Sequence, residues 1–319
     1  RDLINSYCTV EYNEGANYFL IKSEEDWNTF CSKVSNAKGA KSVNAVLLAD
    51  ISITEPVGQS NGTPYTGIFD GGGHTLNVNI NKKEDNAAPF MYATNFTIKN
   101  LHVTGSVEGR NEVSGLVGSA AVGNMNTITN CRVSATVTGT NQRTAGFVGR
   151  NFGVKTVISD CLFDGKLIGR GNTSYGASFA VFTSYNAIDI SNCLEHGTYE
   201  KFTAIGFCRD NATAFAFTEK NNWSFNNLAR DANSKSAEEL VDQMGSNWHL
   251  VNGVPVPIMA PASIGNATNK TADELVTLLG SGYWKKDNDN FVVPRTDDKT
   301  QATIAEVVLP TFYYENLGK

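Results

Sequence analysis

The segment Ile98-Lys99-Asn100-Leu101-His102-Val103-Thr104-Gly105-Ser106-Val107-Glu108-Gly109 returns as Ile128-Thr129-Asn130-Cys131-Arg132-Val133-Ser134-Ala135-Thr136-Val137-Thr138-Gly139. It returns again as Ile158-Ser159-Asp160-Cys161-Leu162-Phe163-Asp164-Gly165-Lys166-Leu167-Ile168-Gly169. A fourth, fading copy opens at Ile190-Ser191-Asn192-Cys193, so successive starts lie 30, 30 and 32 residues apart. A second motif keeps the same interval. Gly115-Leu116-Val117-Gly118 recurs as Gly146-Phe147-Val148-Gly149, with weaker echoes at Gly176-Ala177-Ser178-Phe179 and Gly206-Phe207-Cys208-Arg209. Two motifs in phase over three or four copies mark a repeat architecture.

Within a copy the apolar residues alternate. Leu101, Val103, Gly105 and Val107 fall on one side, His102, Thr104, Ser106 and Glu108 on the other, which is the period of a strand. A unit of about 30 residues with two or three short strands and no helix cannot bury its own apolar face. Stacking unit on unit solves this, each strand pairing in parallel with its equivalent one coil away. The expected fold is all-β, a right-handed parallel β-helix (solenoid) with small helical caps. The rival is a β-propeller, whose blades run to about 40 residues with hairpin turns.

Stacking converts sequence columns into ladders about 4.8 Å apart. Leu101, Cys131, Cys161 and Cys193 form one inward column, and Cys208 is placed in another with Val117, Val148 and Ser178. These four cysteines read as small buried hydrophobes, because ladder neighbours with parallel Cβ directions make poor disulfide geometry. The remaining two, Cys8 and Cys31, could pair with each other. Asn100, Asn130, Asp160 and Asn192 read as a turn ladder whose side chains bond along the column.

Three regions are expected: residues 1–43 as an N-terminal strand and capping helix, 44–225 as the β-helix, and 226–319 as a C-terminal capping region. Ser23-Glu24-Glu25-Asp26-Trp27 opens the first helix with a capping hydroxyl and acidic residues where the helix dipole favours them. Trp27, Phe30, Cys31 and Val34 share one apolar face, which suits a plug over the open end of the solenoid. In the C-terminal region Ser236 to Trp248 matches Thr271 to Tyr283. Each copy has a capping box, Ser236 with Glu239 and Thr271 with Glu274, and each helix stops at a glycine. Turns at Asn252-Gly253 and Asp287-Asn288-Asp289-Asn290 follow, giving two helix-hairpin units expected to cap the last coils, with Trp248 and Tyr283 packed beneath. Asp287 and Asp289 are an incomplete calcium-loop pattern and read as an exposed turn.

The chain of 319 residues is 41% hydrophobic and 18% charged, a balance that excludes a disordered tail. Its net charge of -6 and the lack of a basic cluster argue against nucleic acid or anionic lipid as partner. No apolar run reaches the roughly 18 residues of a membrane helix, so no membrane insertion is expected. The chain opens on Arg1 and shows no signal segment, so the expectation is either that a targeting segment has been removed or that this is a piece cut from a longer chain. A monomer is expected.

The Gly-Leu-Val-Gly and Gly-Phe-Val-Gly motifs, each followed by an Ile-x-Asn/Asp-Cys strand, resemble the GLUG-motif repeats of bacterial surface proteins. Gly67-Ile68-Phe69-Asp70-Gly71-Gly72-Gly73-His74-Thr75-Leu76 resembles the segment that often precedes those repeats, and Trp248 to Pro257 resembles their usual ending. The resemblance covers about residues 20 to 260. It implies a secreted or cell-surface β-helix protein of bacteria, a group that includes adhesins and non-catalytic parts of large surface proteases. It supplies no catalytic motif, and no active-site residue carries over.

Three functions are expected in order: a non-catalytic extracellular module for adhesion or for binding glycan or protein, a carbohydrate-active lyase or hydrolase, and a structural stalk. The partner is a host or environmental glycan or surface protein; no cofactor, metal or catalytic residue is assigned. A lyase would need an outward base with charge neutralisers, and Asp164, Arg132 and Lys166 are the outward residues of those types. Paired carboxylates suited to glycoside hydrolysis are not evident. His74 reads as a turn residue bonded to backbone beside three glycines. The candidate binding surface is the turn after the third strand of each coil. It carries Glu108, Arg110, Asn111 and Glu112, then Asn141, Gln142 and Arg143, then Arg170, Asn172 and Tyr175. Glu112 and Arg143 share a column and suit an inter-coil salt bridge. Arg143, Arg170, Tyr175 and Tyr185 are the candidate binding residues, with Tyr175 as a stacking platform for sugar that Tyr185, Tyr199 and Trp223 could extend.

Overall fold

The computed structural model describes residues 18–37, 42–120, 123–151, 155–181, 188–209, 220–260, 273, 284–288 and 291–294. The chain divides into two compact units, residues 21–260 and residues 1–20 with 261–319. In the second unit, Trp284–Asn288 and Phe291–Pro294 form an antiparallel hairpin. The helix expected from Thr271 to Gly280 lies outside the described residues apart from Asp273, and so does Tyr283.

The unit 21–260 is a parallel β-solenoid of about six turns. The repeat register is the ladder register: Ile98, Ile128, Ile158 and Ile190 pair in succession, as do Val103, Val133 and Phe163. Two further coils precede the visible repeats. Ile51–Ile53 pairs with Leu76–Val78, and the strand Thr75–Asn81 pairs along its whole length with His102–Glu108.

The Asn/Asp column is the corner of each coil. Asn100, Asn130, Asp160 and Asn192 all hold φ between 50° and 54°, the left-handed region that Asn and Asp tolerate best among residues with a side chain. The column extends beyond the repeats at both ends. Asn100 Nδ2 donates to Asp70 Oδ1 at 3.1 Å, and Asn221 Nδ2 donates to Asn192 Oδ1 at 2.7 Å. The second motif has a different cause. A methyl group at Gly118 would collide with the Asn86 carbonyl, and one at Gly149 with the Glu112 carbonyl, so the backbone of the turn fills the space that a side chain would need.

Leu101, Cys131, Cys161 and Cys193 are fully buried, the cysteines as free thiols. The column of Cys208 differs from expectation: it runs Val117, Val148, Ala180, Cys208, without Ser178. The turn from Gly169 to Tyr175 is two residues longer than that from Gly139 to Arg143, so Ser178, not Gly176, occupies the place of Gly146. Phe179 therefore stacks between Phe147, at 5.0 Å, and Phe207, at 4.5 Å. Cys31 is a half-buried free thiol; Cys8 lies outside the described residues.

The helix Glu24–Asn36, capped by Ser23, packs its apolar face on the first coils. Trp27, Phe30 and Val34 are buried. Trp27 lies edge-on to Phe69 and Phe90 at 5.9 and 6.0 Å, Phe30 packs on Tyr65, and the indole N–H donates to the Glu55 carbonyl at 2.8 Å.

The helix Ala237–Met244 has its full capping box and is followed by the hairpin Trp248–Val251/Val254–Pro257 around Asn252-Gly253. It does not close the end of the solenoid. Leu240, Met244, Trp248 and Val256 pack on Leu162, Leu194 and Trp223, which belong to three successive coils of one outward column. Asn192 and Asn221 donate to the carbonyls of Met244 and Gln243, each at 2.8 Å. The chain then returns along the flank, and Ala260 N–H donates to Asn100 Oδ1 at 3.2 Å. The physical reason for a flank position is that the outward column, polar at His102 and Arg132, turns apolar at Leu162 and Leu194 and needs a cover.

Candidate functional site

The outward face that still meets solvent begins where that apolar column ends. Arg132 and Asp164 stand on adjacent coils, and the guanidinium grips the carboxylate through Nε at 3.0 Å and Nη2 at 2.5 Å. Ser134 Oγ donates to the other carboxylate oxygen at 2.5 Å, and His102 Nε2 lies 2.8 Å from Ser134 Oγ. Because the single serine hydrogen goes to Asp164, His102 Nε2 must be the donor to Ser134. Burial, with the Arg132 charge second, pushes the imidazole down to about 4, so it is neutral at pH 7.

This order of bonds opposes nucleophilic chemistry. A serine nucleophile needs an imidazole to accept its proton and a carboxylate to hold the far ring nitrogen. Here imidazole donates to serine, serine to carboxylate, and a guanidinium neutralises the carboxylate. Asp164 is equally unsuited to be the base of a lyase, since its lone pairs are occupied by Arg132 and Ser134. Lys166 pairs with Glu200 at 2.6 Å. The ring of His74 faces Asp50 at 3.2 Å instead of backbone; its main-chain N–H makes the expected turn bond, to the Gly71 carbonyl.

At the turn after the third strand, Arg143 and Tyr175 are direct register partners. Arg143 Nη1 donates to Glu112 Oε1 at 2.8 Å, the salt bridge expected from the column, and Glu112 is buried with φ 57°. A second guanidinium, Arg150, reaches the other oxygen of Glu112 at 3.3 Å. Arg170 is exposed, and its turn is held by Ser174, whose hydroxyl accepts from the Arg170 N–H at 2.7 Å and donates to the Asn141 carbonyl at 3.1 Å. Arg110, expected in this ridge, is bound bidentately to Asp85.

Among the described residues, Tyr199 and Trp223 do not extend the Tyr175 platform. Tyr199 turns its hydroxyl inward to Glu195 at 2.8 Å, where burial raises its pKa, and Trp223 is buried against the flanking helix. Tyr185 lies outside the described residues. The ring that does matter at Tyr175 has an unexpected neighbour: the Arg209 guanidinium lies 5.5 Å from its centroid. Its signal was the decay of the motif. Arg209 closes Gly206-Phe207-Cys208-Arg209, in the place held by Gly118 and Gly149 in the first two copies.

The fold and its outward face define a parallel β-solenoid module in which Arg132 is paired with Asp164 and Lys166 with Glu200, and whose turns carry arginine and tyrosine. No protein-family model matches the chain. Over 99 residues it is 35% identical to halomucin of Haloquadratum walsbyi, a match that takes in 30% of this chain and 1% of halomucin. Among solved structures it is similar to a Bacteroides ovatus protein provisionally described as an immunoglobulin A1 protease. There the TM-score is 0.44 at 19% identity, over 76% of this chain and 93% of the other.

Proposed function

We propose that this chain is a non-catalytic β-helix module, secreted or displayed on a bacterial surface, that binds glycan or protein along the ridge of Arg143, Arg170 and Tyr175. The observation that carries this reading is the contrast between the two outward regions. Asp164, the best-placed acid, is held by Arg132 and Ser134, whereas Arg170 and the Tyr175 ring stand at a turn edge that recurs from coil to coil. Weak contacts repeated along a ridge gain strength through avidity when a protein is present in many copies. The resemblance to GLUG-motif surface proteins and adhesins agrees with this use.

The test pairs Asp164→Ala with Tyr175→Ala on a glycan and protein array, with polysaccharide cleavage measured in parallel. Binding without cleavage, lost in Tyr175→Ala and kept in folded Asp164→Ala, is the expected result. Cleavage abolished by Asp164→Ala would replace the binder with an enzyme. Neither activity nor ligand would leave a stalk.

A further inference from the structure

We infer that Arg209, which lies over the Tyr175 ring, is the anion-recognition element of this ridge, so that its ligand is an acidic polysaccharide bearing carboxylate or sulfate groups. The inference rests on the binding reading above and gives it a ligand class.

Three observations converge. The first is placement. Arg209 stands in the ladder position that is glycine in two earlier coils, beside the register partner of Arg143. The second is its state. Arg209 is 8% exposed, and its buried Nε has no hydrogen-bond partner. A guanidinium removed from water is unfavourable unless its donors are met, and contact with an aromatic face satisfies none of its five N–H groups. The third is local charge. The chain as a whole carries -6, yet the ring beneath Arg209 belongs to Tyr175, the register partner of Arg143, and Arg143 and Arg150 share the Glu112 carboxylate.

Arg209 lies over the Tyr175 ring, and a guanidinium anchored in this way presents its paired donors to an oxyanion. Lysine offers only a point charge, whereas the guanidinium fork can donate two parallel hydrogen bonds to a pair of carboxylate or sulfate oxygens. Exposed Arg170, on the same turn, adds a rim cation that a polymer with repeated negative groups can reach.

Heparin, polygalacturonate and dextran are immobilised as sulfated, uronate and neutral probes, and binding of the full chain is measured across a salt series. Heparin or polygalacturonate is expected to retain the protein, more weakly as salt rises, while dextran does not; the preferred polymer distinguishes sulfate from carboxylate. Arg209→Gln should weaken retention by about tenfold or more, the scale of a charge-assisted hydrogen bond lost. If Arg209→Gln fails a circular-dichroism check, Arg209→Lys keeps the charge and should still lose most of the binding. Undiminished binding by Arg209→Lys together with a folded Arg209→Gln that binds normally would overturn the inference. Dextran binding that depends on Tyr175 would overturn the acidic ligand class alone and leave the ridge standing; retention on none of the three polymers, with no ligand on the array, would remove both.

Discussion

Arg132 and Leu162 are register partners on adjacent coils, yet the first grips Asp164 at the solvent edge and the second is fully buried under Trp248 and its neighbours. One column of a single sheet face thus changes from site to core within one ladder step.

Trp248 is the centre of the cover over that column, and its indole N–H is buried without a partner. Trp248→Ala should therefore lower stability by about 3 kcal/mol, while Trp248→Phe, which deletes the unmet donor and keeps most of the ring, should cost far less. Denaturant melts of the two variants check this. Binding of a hydrophobic dye by Trp248→Ala but not Trp248→Phe would show Leu162 and Leu194 uncovered.

His102 makes the fold sensitive to acid. Its folded pKa of about 4 lies below the usual 6.5, so the unfolded chain takes up a proton that the folded chain refuses. Stability should fall as pH drops from 6.5 to 4, by at most about 3 kcal/mol from this group, and show no further contribution from it below 4. His102→Gln, which retains a donor toward Ser134, should flatten that part of the profile of melting temperature against pH.

Burial raises the thiol pKa of Cys131, Cys161 and Cys208, and desolvation together with Glu55 pushes Cys31 up to about 12. Thiolate is the reactive form, so these four, and the equally buried Cys193, should label slowly in the native protein and at once in denaturant. Peptide mapping after pulsed alkylation assigns the labels. Rapid native labelling of Cys161 would contradict the inward column.

Val133→Asp and Gly149→Ala probe the stack in two ways. The first places an unpaired charge between coils and should abolish folding or cost several kcal/mol. The second drives a methyl into the Glu112 carbonyl and should cost about 1–3 kcal/mol through backbone displacement. Thermal melts read both, and a neutral Gly149→Ala would mean that the close approach of the turn is not what fixes that glycine.

Much of this architecture was legible because a stacked repeat writes its contacts at constant offset. Ile98, Ile128, Ile158 and Ile190 share a column in sequence and in space. The flank cover was written more faintly. Cys161-Leu162-Phe163 and Cys193-Leu194 break alternation with an apolar residue on the outward side, the mark of a strand covered on both faces, but period two alone assigns that side to solvent. The slip of two residues before Tyr175 was concealed because Gly176 imitates the motif glycine by coincidence of type. Ladder pairing, not residue type, places Ser178 there. At the candidate site Arg143 and Glu112 could be paired from their column. Arg209 could not, since its contact with Tyr175 crosses between strands and follows from the longer turn.

The bond from Ala260 to Asn100 also determines how the solenoid responds to pulling. The Ile21 carbonyl accepts from Leu48 one ladder step away, and Asn100 lies two steps further, so the ends of this unit leave it roughly 14 Å apart along the axis. Tension applied through the two ends does not stretch the stack from coil to coil. It acts first on the segment from Ala260 back toward Met244, held by its bond to Asn100 and by the packing of Trp248 and Val256 on Leu162 and Leu194, which should detach before the parallel ladders do. Bearing a tensile load would require an attachment beyond Trp223, whereas a ligand pulling sideways on the Arg143–Tyr175 turn works against several coils at once.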